Sequence, residues 1–182
     1  FMIAPSAFHE MFHKDGEVGM AKAAKAEGIP MVLSSLSTTD LELVSQSGPD
    51  RLWFQLYLSN DKNMAKQLVS RAKYAGYKAI VLTVDVPVLG IRYRDRINNF
   101  KIPDRFHVTN FRDESGTSES SLTKTGLSLE QFIKTQMKTD SNWDDVKWLQ
   151  DVSELPVILK GVLAPDDVIK AKELNVPAVI VS

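Results

Sequence analysis

Seven polar side chains stand at or just after the ends of short apolar runs, where they could do chemistry together. The clearest run is Lys78–Pro87 (KAIVLTVDVP), in which Thr83 and Asp85 follow mostly β-branched residues. Short apolar runs of this kind predict strands that are covered on both faces, as in parallel sheets. In parallel α/β proteins, ligands bind at the carboxyl ends of the strands. The seven candidates are Ser34, Gln55, Tyr57, Thr83, Asp85, Lys160 and Ser182.

The types of these residues restrict the chemistry that they can support. Serine, threonine and glutamine supply uncharged donors and acceptors, and Lys160 adds a positive charge. Tyr57 and Asp85 can orient a substrate or exchange protons. Asp85 and Lys160 could instead form a purely structural ion pair, and Thr83 could simply satisfy the backbone. One polar residue on nearly every predicted strand favours a binding site over these structural alternatives.

The segment His9–His13 (HEMFH) matches the His-Glu-x-x-His pattern of zinc peptidases. On an α-helix the two histidines would share a face and bind zinc, and Glu10 would act as the base. The context is poor, because the pattern follows a predicted strand end and His107 is the only other histidine. A zinc metallopeptidase therefore stays as an alternative to a loop that covers the core. His107 is expected at the surface.

Strands that alternate with helices must position the seven candidates. Alternation at steps of roughly 20–30 residues implies βα units and a parallel sheet. No Gly-x-Gly-x-x-Gly follows the first strand, which disfavours a dinucleotide-binding fold. The sequence therefore predicts an α/β fold of the (β/α)8 TIM-barrel type, with about six βα units and the last two strands missing. The predicted strands are Phe1–Ala4, Pro30–Leu33, Arg51–Leu58, Lys78–Asp85, Pro156–Leu159 and Pro177–Val181.

Helical spacing and end signals predict the connecting helices. Gly28 would end the first helix, and either Thr38 or Thr39 would cap the second, which runs through Val44. Proline at the first position and two aspartates in the first turn mark the last helix. The remaining predictions are Gly16–Gly28, Asp61–Gly76, Leu127–Met137, Trp143–Leu149 and Pro165–Leu174.

A long irregular stretch, about residues 86–126, interrupts the single predicted domain of residues 1–182. It contains a basic cluster at Arg92, Arg94 and Arg96 and a Ser/Thr-rich half at Ser115–Thr125. Loops this long in a compact domain are usually active-site lids or disordered segments. We expect an active-site loop, with disorder most compatible with the Ser/Thr-rich half.

Composition excludes several classes of protein. The chain of 182 residues has a net charge of −1, which gives no electrostatic case for nucleic acid or an anionic membrane as a partner. It contains no cysteine, so disulfides, thiolate catalysis and cysteine-ligated metals are excluded. No apolar run approaches the length of a membrane span.

Eight short motifs follow one another along the chain: IAPSA (3–7), LSS (33–35), FQLY (54–57), LTVDVP (82–87), LGIRYRD (89–95), INNF (97–100), WDDVKWL (143–149) and LPVILKGV (155–162). In this order and spacing they resemble the FMN-dependent 2-hydroxy-acid oxidase and dehydrogenase family, which includes glycolate, lactate and long-chain hydroxy-acid oxidases. The resemblance covers essentially the whole chain and implies oxidation of a small (S)-2-hydroxy acid to the 2-oxo acid. Electrons would pass to oxygen, giving hydrogen peroxide, or, in the dehydrogenase alternative, to another acceptor.

The resemblance assigns a role to each candidate. Lys160 would stand beside the N1 edge of the flavin, where reduction places negative charge. Arg92 would bind the substrate carboxylate, for which a guanidinium is suited. Tyr57 would touch the substrate, and Asp85 would pair with the catalytic histidine. The implied cofactor ligands are Pro5, Ser6, Ala7, Ser34, Gln55, Thr83, Lys160 and Ser182.

The family's catalytic histidine is expected in a Ser-Asn-His-Gly segment, and this sequence stops at Ser182, where that segment would begin. Both ends look cut, so we expect a fragment that does not turn over alone. The resemblance further implies a homotetramer and a peroxisomal location, or otherwise a cytoplasmic one. Leu36 stands where relatives often carry an aromatic residue, so a substrate bulkier than glycolate is expected. A noncatalytic barrel remnant is a further alternative.

Overall fold

The computed structural model describes residues 1–85, 87–88, 90–111 and 137–182. Its five strands form one sheet in the order in which they occur along the chain, and every neighbouring pair is parallel. Consecutive order without a reversal is the arrangement of a (β/α)8 barrel and not of a doubly wound sheet. The predicted fold class is therefore confirmed. The strands are β1 Met31–Leu33, β2 Leu52–Leu56, β3 Ile80–Thr83, β4 Val157–Lys160 and β5 Val179–Ile180.

The first predicted strand, Phe1–Ala4, is reduced to a single parallel bridge between Ile3 and Met31. The N–H of Ile3 donates to the carbonyl of Pro30 (2.9 Å), and the N–H of Val32 donates to the carbonyl of Ile3 (2.9 Å). Pro5 follows two residues later and has no N–H, so the ladder cannot continue through it.

Six α-helices occur in the described ranges, and most lie where the sequence predicts them. Asp61 begins the third by accepting the N–H of Asn63 (2.8 Å). Asn142 begins the fifth in a reciprocal capping box with Asp145. A three-residue 3₁₀ helix, His9–Met11, precedes the first. The helices are α1 Gly16–Ala26, α2 Leu41–Ser47, α3 Lys62–Tyr74, α4 Tyr93–Ile97, α5 Trp143–Ser153 and α6 Pro165–Glu173.

The predicted cap of α2 is wrong. Asp40 is the N-cap residue, and its side chain makes no capping hydrogen bond. The first N–H of the helix, that of Leu41, instead donates to Oδ1 of Asn110 (2.9 Å). Thr38 and Thr39 do not cap the helix; both direct their hydroxyls to the carboxylate of Glu17, to which they donate.

Within the described residues, the loop after β3 contains regular structure where the sequence predicts an irregular stretch. It contains the five-residue helix α4, and its later part packs against the core through Phe106, Val108 and Phe111. Arg71 of α3 donates to the carbonyl of Asn110 (2.6 Å) and so fixes this part of the loop. The Ser/Thr-rich Ser115–Thr125 lies outside the described residues, as does the predicted helix Leu127–Met137 except for Met137, which forms an antiparallel bridge with Ser59.

The two faces of the sheet carry different apolar clusters. On the outer face, strand residues such as Phe54 and Leu82 join the main core beneath the helices. Phe54 meets Tyr77 edge to face, with the ring centroids 5.8 Å apart. The inner face carries a smaller cluster of Val32, Ala79, Val81 and Ile158, with Trp53 and Ile180 packed against it.

Candidate functional site

Strand periodicity places the candidate residues on the inner face of the sheet. Side chains two residues apart along a strand point to the same side. Each candidate stands two residues beyond an inner-face apolar residue, or four beyond it for Tyr57 and Asp85. The pairs of inner-face residue and following candidate are Val32 and Ser34, Trp53 and Gln55, Val81 and Thr83, Ile158 and Lys160, and Ile180 and Ser182.

Three uncharged side chains from neighbouring strands form a continuous hydrogen-bonded row. Oε1 of Gln55 accepts from the hydroxyl of Ser34 (3.3 Å) and from the N–H of Ser35 (3.2 Å). Because that oxygen accepts twice, the amide NH₂ points the other way and donates to Oγ1 of Thr83 (3.1 Å). Gln55 is 1% exposed, so the orientation of its amide is fixed by these partners. The row offers aligned neutral donors and acceptors at the carboxyl end of the sheet.

A charged cluster continues the row across β4. Nζ of Lys160 lies 3.1 Å from Oδ2 of Asp85 and donates to Oγ of Ser182 (2.9 Å). The side chains of Lys160 and Asp85 are 19% and 24% exposed, so the pair is only partly screened by water. The ion pair that the sequence left open is therefore formed, at the mouth of the sheet.

Gly161 makes the position of Asp85 possible. Its φ is +102°, and a Cβ at this position would lie 2.5 Å from Cβ of Asp85 and 2.9 Å from its backbone nitrogen. No side chain fits this space. The glycine that follows Lys160 in the LPVILKGV motif therefore allows the backbone after β4 to pack directly against Asp85.

A cavity of about 650 Å³ opens in front of the row. Tyr57, Thr83 and Arg92 line it with polar groups, together with the Pro5–Ala7 segment. Burial raises the pKa of the Tyr57 hydroxyl, the charge of Asp85 raises it further, and Arg92 lowers it. The phenol therefore stays protonated and lies in the fields of both charged residues. The other walls are mostly apolar and include Phe8, Met11, Leu36, Phe100, Ile102 and Met137.

The structure thus brings the predicted residues together at one edge of the sheet, although only some of them line the cavity. Four of the predicted positions or segments line the cavity: Pro5–Ala7, Tyr57, Thr83 and Arg92. Ser34 and Gln55 lie buried behind Thr83, while Asp85, Lys160 and Ser182 form the adjoining charged cluster. The geometry is compatible with holding a planar polar group along the row and a small anion at Arg92.

Sequence reasoning missed Glu17, which contacts two of the loops around the cavity. It falls on the same face of α1 as Ala21 and Ala24, at spacings of four and seven residues. A carboxylate on an otherwise buried small-residue face was the available signal. Asn110 was missed as well, because the partners of its side chain are 69 or more residues away in the sequence.

The zinc motif does not have the helix that it needs. His9 lies in a three-residue 3₁₀ helix, and Nδ1 of His13 accepts the N–H of Asp15 (3.2 Å). No group of three or more His, Asp or Glu side chains in the described ranges could hold a metal ion. His107 is exposed, as predicted.

Among the residues that the structure describes, no helix is long and apolar enough to cross a membrane.

Comparison with known proteins assigns this arrangement to a family. A model of the family described as FMN-dependent dehydrogenase matches residues 1–182. An L-lactate oxidase from Nostoc sp. is 44% identical over 186 residues, covering 100% of this chain and 50% of that protein. Glycolate oxidase 3 from Oryza sativa subsp. indica is 41% identical over 181 residues, covering 100% and 49%.

Solved structures give the same result for the fold. Mandelate oxidase with (S)-4-hydroxymandelic acid superimposes with a TM-score of 0.83 at 35% identity, covering 100% of this chain and 50% of that one. Mandelate oxidase with benzoyl-formic acid gives 0.82 at 34% identity, covering 100% and 47%. The chain spans about half the length of the relatives it matches.

Proposed function

This chain belongs to the FMN-dependent dehydrogenase family, and from that premise we propose that the whole protein oxidises a small (S)-2-hydroxy acid to the 2-oxo acid with FMN as cofactor. The observation that carries the proposal is the gathering of the strand-end polar residues at one edge of the sheet, where Tyr57 and Thr83 line a cavity. Lactate, glycolate and mandelate oxidases are among the similar proteins, which supports a 2-hydroxy acid as the class of substrate.

The donor set of the site fits a flavin. A flavin ring is planar, with carbonyl and N–H groups along one edge; Thr83 presents a neutral hydroxyl to the cavity, and Gln55 and Ser34 continue the same hydrogen-bonded row behind it. Lys160 provides a cation at the end of this row, where it would stabilise negative charge on the ring. Backbone groups of Pro5–Ala7 would contact the ring from the facing side of the cavity, and Ser182 would hold Lys160 in place. When bound, FMN supplies the acceptor for two electrons and the hydrogen of the substrate α-carbon.

The residues of the cavity would bind and orient the hydroxy acid. Arg92 would hold the carboxylate through its guanidinium, and the protonated Tyr57 would donate to a substrate oxygen. Asp85 would orient and stabilise a histidine that accepts the hydroxyl proton. His9, His13 and His107 are the histidines of this sequence, and none of them lines the cavity. We therefore place that histidine outside these 182 residues.

We extend the proposal to the electron acceptor, the assembly and the location. Oxygen would reoxidise the cofactor and give hydrogen peroxide, as the oxidases among the relatives suggest. The protein would be a homotetramer in the peroxisome. Light scattering of the purified protein tests the assembly, and imaging of a tagged full-length protein tests the location.

The test of the function is an ultraviolet–visible spectrum of the full-length protein, with metal analysis of the same sample. Flavin bands that are bleached by a 2-hydroxy acid without oxygen, and that return in air with peroxide, would support the oxidase. Bands that bleach but do not return in air would favour the dehydrogenase alternative. Absence of flavin after FMN is added would refute the proposal, and stoichiometric zinc would then favour the His9–His13 site.

Arg92 gives a sharper test of the substrate site because the same helical region offers a control. Removing a hydrogen bond to a charged group costs about 1.5–3 kcal/mol, so Arg92→Ala should lower kcat/KM roughly 10- to 150-fold. Arg94 lies two residues away, is exposed, and does not line the cavity. Arg94→Ala should leave kcat/KM unchanged within about twofold. Equal losses in the two variants would contradict the role given to Arg92.

A further inference from the structure

A buried carboxylate on α1 joins two loops that line the same side of the cavity. Glu17 is 0% exposed, and each of its oxygens accepts two hydrogen bonds. Oε1 accepts the N–H groups of His9 (3.1 Å) and Thr38 (2.9 Å). Oε2 accepts the hydroxyls of Thr38 (2.7 Å) and Thr39 (2.9 Å). One carboxylate thus holds the segment before α1 and the segment after β1 to each other.

Both segments supply wall residues to the cavity. His9 directly follows Phe8, which lines the cavity together with Pro5–Ala7. Thr38 lies two residues after Leu36, which lines it as well. The N–H of Phe8 also donates to the carbonyl of Leu36 (3.2 Å), so the two walls are in direct contact. Any change in the spacing of these segments therefore changes the shape of the cavity.

Phe8 has a backbone conformation that needs such support. Its φ is +54° and its ψ is +50°, which lie in the left-handed region that residues other than glycine rarely adopt. Conformations of this kind persist only where the surrounding structure holds them. The N–H of the next residue, His9, donates a hydrogen bond to Glu17, and this bond stabilises the backbone conformation of Phe8. Glu17 is itself fixed, because Ala21 and Ala24 on the same face of α1 are buried in the core.

We propose that Glu17 is a positioning residue, which sets the spacing between the Pro5–Phe8 and Leu36 walls and thereby the affinity for FMN. The proposal rests on the proposed function, since it takes FMN as the occupant of the cavity. Glu17 does not line the cavity, so it acts only through the backbone and hydroxyl groups that it holds. The lowered pKa of this buried carboxyl agrees with the geometry: burial alone would raise it, and the hydrogen bonds from Thr38 and His9 more than offset burial.

The test is titration of the full-length apoprotein with FMN, followed by quenching of flavin fluorescence. Glu17→Ala removes all four hydrogen bonds and should raise the Kd for FMN roughly tenfold or more. Glu17→Gln should stay within about threefold of wild type, because its amide oxygen can accept both N–H groups and its NH₂ can donate to both hydroxyls. Rescue by glutamine would show that the link between the walls matters, and not the charge.

Leu149→Ala supplies the control for lost stability. Leu149 is fully buried in α5 and does not line the cavity. The Leu149→Ala variant should have a lower melting temperature and a Kd for FMN within about twofold of wild type. If Glu17→Ala does not fold, Thr39→Val replaces it, since that variant removes one hydroxyl donor and should raise the Kd about two- to threefold.

The outcomes separate the two proposals. Wild-type protein that binds no FMN refutes the proposed function, whatever the variants do. Wild-type protein that binds FMN, together with a Glu17→Ala variant (or its Thr39→Val replacement) whose Kd matches that of Leu149→Ala, overturns the role of Glu17. A glutamine variant as weak as the alanine variant would also overturn it, because both would then report loss of charge.

Discussion

Substituting alanine for Gly161 tests whether the backbone after β4 must approach Asp85 as closely as the structure shows. The added Cβ would lie 2.5 Å from Cβ of Asp85 and 2.9 Å from both its Cγ and its nitrogen. Two of these three atoms cannot be moved by a side-chain rotation. The segment that carries Asp85 must therefore shift by about 1 Å to restore an ordinary contact distance, and the 3.1 Å contact with Lys160 would be lost or rebuilt.

The magnitude has two parts, and a second glycine separates them. A non-glycine residue at positive φ costs about 1–2 kcal/mol, and overpacking adds about 1–3 kcal/mol. Gly76 has φ of +90°, close to the +102° of Gly161, but its added Cβ would meet nothing within 4 Å. Gly76→Ala should therefore lose about 1–2 kcal/mol of unfolding free energy, and Gly161→Ala about 2–5 kcal/mol.

Urea unfolding of both variants measures these losses, and FMN-dependent turnover of the full-length protein with each substitution measures the effect on the site. Because a 1 Å misplacement near the chemistry can cost about 100-fold in rate, Gly161→Ala should lower kcat by roughly this factor. Gly76→Ala should leave kcat unchanged within about twofold. If the two variants lose the same free energy and keep the same kcat, the close approach of Gly161 to Asp85 is not required and the argument is refuted.

Three further predictions concern the surrounding shell. Asn110→Ala should cost about 1–3 kcal/mol of unfolding free energy, because the first N–H of α2 loses its acceptor and the hydroxyl of Ser37, which still donates to the carbonyl of Thr39, loses the amide that donates to it; urea unfolding measures this, and a loss below about 0.5 kcal/mol would contradict it. The lowered pKa of Glu17 contributes stability that is present above its unfolded pKa and lost as the pH falls through its folded pKa. The stability difference between wild type and Glu17→Gln should therefore shrink on acidification, and a difference independent of pH would count against it. Leu36→Trp should narrow the cavity, so kcat/KM for a phenyl-substituted 2-hydroxy acid should fall at least tenfold while that for lactate changes less than about threefold; equal effects on both substrates would be the contrary result.

The strand part of the site could be predicted because its signals are local. An apolar run followed by a polar residue identifies both the strand and its carboxyl end, and strand periodicity then fixes the face. Ser34, Gln55, Thr83 and Lys160 were found in this way, and the structure places all four on one face of the sheet. Lys160 is paired in register with Thr83 across β3 and β4, whereas Gln55 lies opposite Val81 and reaches Thr83 diagonally. The roles given to them remain predictions until the flavin titrations are made.

The loop part of the site could not be predicted, because the hydrogen-bond partners of its residues are remote in the sequence. The N–H at the start of α2 has a threonine nearby at each of two positions, so local rules chose Thr38 or Thr39 as the cap. Asn110 provides the acceptor from 69 residues away, and the threonines turn to Glu17, 21 and 22 residues earlier. Capping rules record the need for an acceptor but not which remote residue supplies it.

This division between strand and loop residues separates two properties of the site. The polar row and the Lys160–Asp85 pair come from strand ends, so substitutions there should alter cofactor binding and the rate of oxidation. The apolar walls come from loops, namely Phe8, Leu36 and residues of the segment after α4, so substitutions there should alter which side chain of the hydroxy acid fits. Glu17 is the exception, because it lies on a helix and yet fixes the loops. Its replacement by alanine should therefore change both properties at once, whereas its replacement by glutamine, which can keep the four hydrogen bonds, should change neither by more than about threefold.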